Sequence, residues 1–102
     1  MDKEERNVTD NLKGIEYEKS GDVEKAIELY ERVVSRKFDG SHPYDRLSIL
    51  YRKQGNYEAE EAVLKKAISV FSKVAESGRC DGPEKLERFQ TRLNKLHKKM
   101  QK

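Results

Sequence analysis

The chain contains Lys19-Ser20-Gly21-Asp22 and, 34 residues later, Lys53-Gln54-Gly55-Asn56. In each stretch a glycine, which can end one helix in the left-handed conformation, precedes Asp or Asn, whose side-chain oxygen can cap the next helix. The same shift relates five further pairs: Tyr17 and Tyr51, Glu24 and Glu58, Tyr30 and Leu64, Val33 and Ala67, Val34 and Ile68. We therefore predict two copies of one unit, each built from two helices joined by a tight turn.

Apolar residues on both sides of these turns recur at helical spacing. In the first copy the residues after the turn lie three and four positions apart: Val23, Ala26, Ile27, Tyr30, Val33 and Val34. In the second copy Ser41 and Pro43 are placed to start a helix. The pattern predicts five helices, at about 3–20, 22–37, 41–54, 56–77 and 83–101.

A 34-residue period with Trp-x2-Leu-Gly-x2-Tyr and then Ala-x3-Phe is the signature of the tetratricopeptide repeat. The chain is similar to it at Gly14-x2-Tyr17 and Ala26-x3-Tyr30, and again at Tyr44-x2-Leu47-Ser48-x2-Tyr51. The resemblance covers residues 8–75 and implies an all-α, right-handed helical repeat of two helix-turn-helix units with a C-terminal capping helix. It implies a single domain over residues 1–102, with repeat 1 at about 8–41, repeat 2 at about 42–75 and the cap at 83–101.

Three positions depart from the signature. Asp10 and Lys13 replace its aromatic residue and its leucine, and Glu60 replaces an alanine. We expect looser helix contacts or a solvated face at these positions. Charged residues on helix faces, such as Glu16, Glu18 and Lys19, are also interpreted as solvated surface.

The period fails after the second copy, and a fifth helix follows a linker at 77–82. Its apolar residues have spacings of 3, 4, 3 and 4: Leu86, Phe89, Leu93, Leu96 and Met100. This seam has two interpretations. It covers the open apolar face of the second repeat, as short repeat stacks require, or part of it pairs with a second copy in a weak homodimer. We favour the cap because two heptads are too short to hold a coiled coil alone.

Residues with catalytic or metal-binding chemistry are sparse. The only cysteine, Cys80, and the two histidines, His42 and His97, have no neighbour in the sequence that would orient a nucleophile and its base. They also lack the spacing of a metal-ligand cluster. Phosphate-binding and dinucleotide-binding motifs are missing from the sequence. We therefore predict a protein that is not an enzyme and needs no cofactor or metal.

The resemblance implies that the first helix of each repeat lines a concave groove for an extended or helical peptide. The lining, carried over by position, is Val8, Asn11, Leu12, Ile15, Lys19, His42, Asp45, Arg46, Ile49, Arg52 and Lys53. An apolar patch (Leu12, Ile15 and Ile49) would adjoin a basic cluster (Arg46, Arg52 and Lys53). Such a surface suits a protein or peptide partner with apolar anchors and acidic flanks, as for an adaptor or scaffold. The alternative for Leu12 and Ile15 is burial under the fifth helix or under the residues before Thr9.

Nucleic acid is the alternative partner, because the fifth helix is basic. Seven basic and two acidic residues lie in 83–102, and one stripe of the helix contains Arg88, Arg92, Lys95 and Lys99. We favour a protein partner because no aromatic residue interleaves this stripe for stacking. Neither an apolar signal region nor a membrane-length apolar run is present, so we expect a cytoplasmic protein without membrane contact.

Overall fold

The structure, a computed structural model, describes residues 2–101, which form five helices and no strand. Helix α1 spans Lys3–Lys19, α2 Val23–Ser35, α3 His42–Lys53, α4 Tyr57–Glu76 and α5 Gly82–Met100. The helices make up 81% of the structure. The all-α repeat fold is confirmed, and every helix boundary lies within two residues of its predicted position. The predicted domain also includes Met1 and Lys102, which lie outside the described residues.

The two turns within the repeats share one geometry. Gly21 and Gly55 have φ angles of 88° and 71°, which glycine adopts without strain. The next amide donates to a carbonyl of the preceding helix, at 2.8 Å for Asp22 and 2.9 Å for Asn56. The side chains of the same two residues accept from amides in the first turn of the next helix, at 3.3 Å and 3.2 Å. Each turn therefore ends one helix and caps the next, as the sequence predicted.

One small and one large residue allow α1 and α2 to approach closely. Gly14 is buried, and a Cβ atom there would lie 2.6 Å from a ring carbon of the fully buried Tyr30. At the equivalent positions of the second repeat, Ser48 and Leu64 are both buried. Compared with the first repeat, the second has a larger residue on its first helix and a smaller one on its second. The total side-chain volume of the two positions is therefore roughly conserved between the repeats.

Helix α5 packs on α4 through an aromatic contact. It begins at Gly82, one residue before the predicted start, and a Cβ atom at Gly82 would lie 2.7 Å from the backbone of α4. Phe89 is fully buried, with its ring stacked on that of Phe71 at a centroid distance of 5.5 Å. The same ring meets the edge of Tyr44 on α3 at 6.3 Å. These contacts attach α5 to the second repeat.

Most of the apolar seam of α5 faces the core of its own chain. Phe89 and Leu96 are buried, and Leu86 and Leu93 are partly buried against the core, whereas Met100 is 38% exposed. The arrangement is that of a cap. Pairing of this seam with a second copy stays a prediction.

Glu60 is buried, so the expectation of a solvated face is wrong at this position. Its side chain is 1% exposed, and it occupies the position of the fully buried Ala26 in the first repeat. Arg52 donates to Oε2 of Glu60 from two nitrogens, at 3.0 Å and 2.8 Å. Oε1 accepts no hydrogen bond from residues 2–101. The ion pair with Arg52 therefore compensates for the burial of this carboxylate.

The other two departures from the signature differ from each other. Lys13 is exposed, as expected. The side chain of Asp10 is only 14% exposed and pairs with Arg36 at 2.8 Å. Asp10 therefore joins α1 to the residue that follows α2 and is not part of a solvated face.

The variant Arg52→Ala tests whether this ion pair compensates for the burial of Glu60. We expect Arg52→Ala to lower the free energy of unfolding by about 1–3 kcal/mol, because it leaves the Glu60 carboxylate buried without a partner. Glu60→Ala restores the alanine of the first repeat, so it should be neutral or stabilising, and it should rescue Arg52→Ala. Urea unfolding measures all three variants, with Lys53→Ala as the control for loss of an exposed cation. A loss in Arg52→Ala that persists in the double variant would contradict this explanation.

Candidate functional site

Helix α1 presents an exposed apolar stripe. Val8, Leu12 and Ile15 lie on one face of the helix because of their spacing. Val8 is 47% exposed and Leu12 55% exposed, whereas Ile15 is partly buried against the core. The alternative in which the chain itself covers Leu12 is therefore wrong. On α3, the predicted groove residue Ile49 is partly buried.

A cavity of about 240 Å³ lies where α1 meets α3. Its lining brings together residues of both helices: Ile15, Glu18, Lys19, His42 and Arg46. The sequence predicted all of these as groove residues except Glu18. A cavity of this size is large enough for one side chain.

Glu18 is the centre of a polar network at this cavity, and its interpretation as solvated surface is wrong. Its Oε1 accepts from the Tyr30 hydroxyl at 2.9 Å and from Nε of Arg46 at 3.1 Å, and its Oε2 accepts from a second nitrogen of Arg46. The bonds from Arg46 lower the pKa of Glu18, although burial opposes them. Burial, followed by the bond to Glu18, raises the pKa of Tyr30. The network therefore fixes α1, α2 and α3 relative to one another.

Asn11 and His42 form a second link between α1 and α3. Oδ1 of Asn11 lies 3.1 Å from Nδ1 of His42, and the His42 ring meets the edge of Tyr30 at a centroid distance of 5.8 Å. Burial, followed by the nearby charge of Arg46, lowers the pKa of His42. A neutral ring with its proton on Nδ1 donates to Asn11 in this geometry.

The predicted basic cluster is mostly neutralised within the chain. Arg46 and Arg52 each form an ion pair with a glutamate. Lys19 and Lys53 are exposed and form no ion pair with any described residue. Among the predicted groove residues, the ammonium groups without an ion pair to a described residue therefore lie near the C-terminal ends of α1 and α3, whereas Arg46 and Arg52 hold ion pairs between helices.

Two of the four residues in the basic stripe of α5 also form ion pairs within the chain. Arg88 and Arg92 donate to the Asp45 carboxylate of α3 at 2.8 Å and 2.7 Å. Lys95 and Lys99 form no ion pair among residues 2–101. Two of the four stripe residues therefore help to hold α5 on α3, and Asp45 is already occupied and does not offer a free charge to a ligand.

Candidate catalytic residues are not gathered into a site. Cys80 is exposed in the linker before α5. Nε2 of His97 lies 2.7 Å from Oε2 of Glu61, and His42 contacts Asn11. In the described part of the chain, no three His, Cys, Asp or Glu side chains are grouped to hold a metal ion. None of its helices combines the length and apolar character needed to cross a membrane.

Comparison with known proteins identifies both repeats. The family model of the tetratricopeptide repeat matches residues 11–39 and 41–73. Searches of curated proteins and of solved structures each found no match. Tetratricopeptide repeats generally mediate protein–protein interaction and are typically non-catalytic. Because the matched segments cover more than half of the chain and each overlaps both helices of one pair, this chain belongs to the tetratricopeptide repeat family.

Proposed function

We propose that the chain is a non-catalytic adaptor or scaffold that binds a peptide or helix of a partner protein along α1 and α3. The observation that carries this proposal is the exposed apolar stripe of Val8 and Leu12 beside the cavity at Ile15. When a partner covers an apolar side chain that is half exposed, the burial contributes about 1 kcal/mol to the free energy of binding. The partner therefore supplies apolar anchors.

The polar network prepares the groove for binding. Because Glu18 binds Arg46 and Asn11 contacts His42, α1 and α3 keep a fixed relation before the partner arrives. A site that is already ordered loses less conformational entropy on binding. The free ammonium groups at the C-terminal ends of the two helices then attract acidic residues of the partner at that end of the groove.

Leu12→Glu tests this site. We expect it to weaken binding of peptides selected on the intact chain from a random display library by at least about tenfold, because it places a charge where the apolar anchor packs. The free energy of unfolding should change by less than about 0.5 kcal/mol, since Leu12 is exposed. Met100→Glu makes the same kind of change at an exposed apolar residue of α5 and should leave binding unchanged. Loss of binding in Met100→Glu alone would move the site to α5.

The nucleic-acid alternative has less support, since Arg88 and Arg92 are bound to Asp45. A cytoplasmic location stays a prediction.

A further inference from the structure

A second cavity, of about 470 Å³, lies between α4 and the connection from α2 to α3. No residue that lines it belongs to α1, α3 or α5. Its lining combines exposed lysines with two valines: Lys37, Lys65, Lys66, Lys73, Val70 and Val74. We propose that this cavity is a separate docking site for an acidic segment of a protein partner that carries an apolar anchor residue.

The connection that forms one wall of the cavity is held in place by the rest of the chain. Lys37 adopts a φ angle of 58°, which turns the chain sharply after α2. The Tyr44 hydroxyl donates to the carbonyl of Phe38 at 2.6 Å. Arg79, in the linker before α5, donates to the carboxylate of Asp39 at 2.7 Å and to its carbonyl at 3.2 Å. The cavity is therefore present before a ligand binds.

The charge of the lining is not balanced within the chain. Among the described residues of the lining, Asp39 is the one acidic residue, and it already forms an ion pair with Arg79. Lys65 lies 3.8 Å from a glutamate one turn away. Lys37, Lys66 and Lys73 form no ion pair within residues 2–101. A ligand that brings negative charge relieves the repulsion among these ammonium groups.

The shape of the charged surface favours an acidic peptide. Lys66 and Lys73 are seven residues apart on α4, which is about 10 Å along the helix axis. Carboxylates spaced along a peptide match this separation, whereas a single phosphate or carboxylate group would have to draw both side chains towards one point. The lining also provides an apolar contact, from Val70 and Val74, which lie one helical turn apart on α4. Val70 is 8% exposed. The described lining contains no aromatic ring on which a nucleic-acid base could stack.

The test measures fluorescence anisotropy of a labelled peptide, Glu-Glu-Leu-Glu-Asp-Leu-Glu-Glu, with the intact chain. We expect Lys66→Glu combined with Lys73→Glu to weaken binding by about tenfold or more, because attraction becomes repulsion at both ends of the cavity. Ser69→Phe fills the cavity without changing the charge and should also weaken binding. The control pair, Lys95→Glu with Lys98→Glu, makes the same charge change on α5 and should stay within about twofold of the parent. All of these residues are exposed, and unfolding curves confirm that each variant folds.

Four results would overturn the inference. Equal losses in the two double variants would indicate general charge attraction, and normal binding by Ser69→Phe would exclude the cavity. A mixed-sequence single-stranded oligonucleotide that binds more tightly than the peptide, and loses binding in the same variants, would assign the surface to nucleic acid. The proposed groove also takes apolar anchors with acidic residues, so Leu12→Glu compares the two sites, and we expect it to weaken binding of this peptide less than the double variant at Lys66 and Lys73 does. A larger loss in Leu12→Glu would place the peptide in the groove, which would contradict the second site without contradicting the proposed function.

Discussion

Tyr30→Ala is expected to lower the free energy of unfolding by about 3–5 kcal/mol, a large part of the stability of a domain of this size. Tyr30 is fully buried, and its ring fills the space that Gly14 leaves open on α1. Truncation therefore creates a cavity between α1 and α2, and it also removes the hydroxyl that donates to Glu18 at 2.9 Å. Urea unfolding followed by circular dichroism measures the loss.

Matched variants separate the contributions to this loss. Tyr57→Ala removes a tyrosine that is 36% exposed and should cost less than about 1 kcal/mol. Tyr30→Phe keeps the ring, so its loss of about 1 kcal/mol reports on the hydroxyl alone. Leu64→Ala, at the equivalent position of the second repeat, should cost about 2–5 kcal/mol. Similar small losses for Tyr30→Ala and Tyr57→Ala would contradict the packing of α1 on α2.

Phe89→Ala is expected to destabilise the chain by about 3–5 kcal/mol and to release α5 from α4. The ring is fully buried and stacks on Phe71, so its loss leaves the apolar face of the second repeat without its main contact. Amide hydrogen exchange should accelerate along α5 more than along α1. Met100→Ala changes the same seam at a residue that is 38% exposed, and it should cost less than about 1 kcal/mol.

The same helix allows a test of self-association. A cap within one chain predicts that the melting temperature of the intact protein does not depend on its concentration. A melting temperature that rises with concentration would show that copies associate. Conversion of such a dimer into a folded monomer by Leu93→Glu would show that the seam of α5 is their interface, and it would contradict the cap.

The turns could be predicted from the sequence because their chemistry is local. Gly21 with Asp22, and Gly55 with Asn56, each combine a residue suited to a positive φ angle with a capping side chain, and the 34-residue shift relates the two turns. Helix boundaries follow from these turns and from apolar spacing. Neither signal requires knowledge of which helices meet.

The charged residues were harder to place because their ion pairs join different helices, and the sequence pattern does not show which side chains meet. Periodicity assigns a charged residue to the surface, yet Glu18 binds Arg46 and Glu60 is buried with Arg52. One signal in the sequence indicates that Glu60 is buried with a partner. Glu60 occupies the position of Ala26, and a charge at a position that is buried in the other copy requires a partner. No such comparison was available for Glu18, since its equivalent in the second copy is the charged Arg52.

The second cavity could not be predicted from the sequence. Its wall depends on the conformation of the connection after α2, where Lys37 adopts a positive φ angle although it is not a glycine. In the sequence, the lysines of α4 form an ordinary polar face of a helix. The sequence does not show that the connection after α2 lies beside them.

The most direct test of the proposed function is to locate a bound peptide by nuclear magnetic resonance. A peptide selected on the intact chain from a random library would be titrated into isotope-labelled protein, and changes in the backbone amide shifts would be mapped onto the helices. We expect the largest changes on α1 and α3, at Leu12, Ile15 and Ile49, with small changes on the exposed face of α5. Changes concentrated at Lys95 and Lys99, with little effect on α1 and α3, would contradict the groove as the binding site.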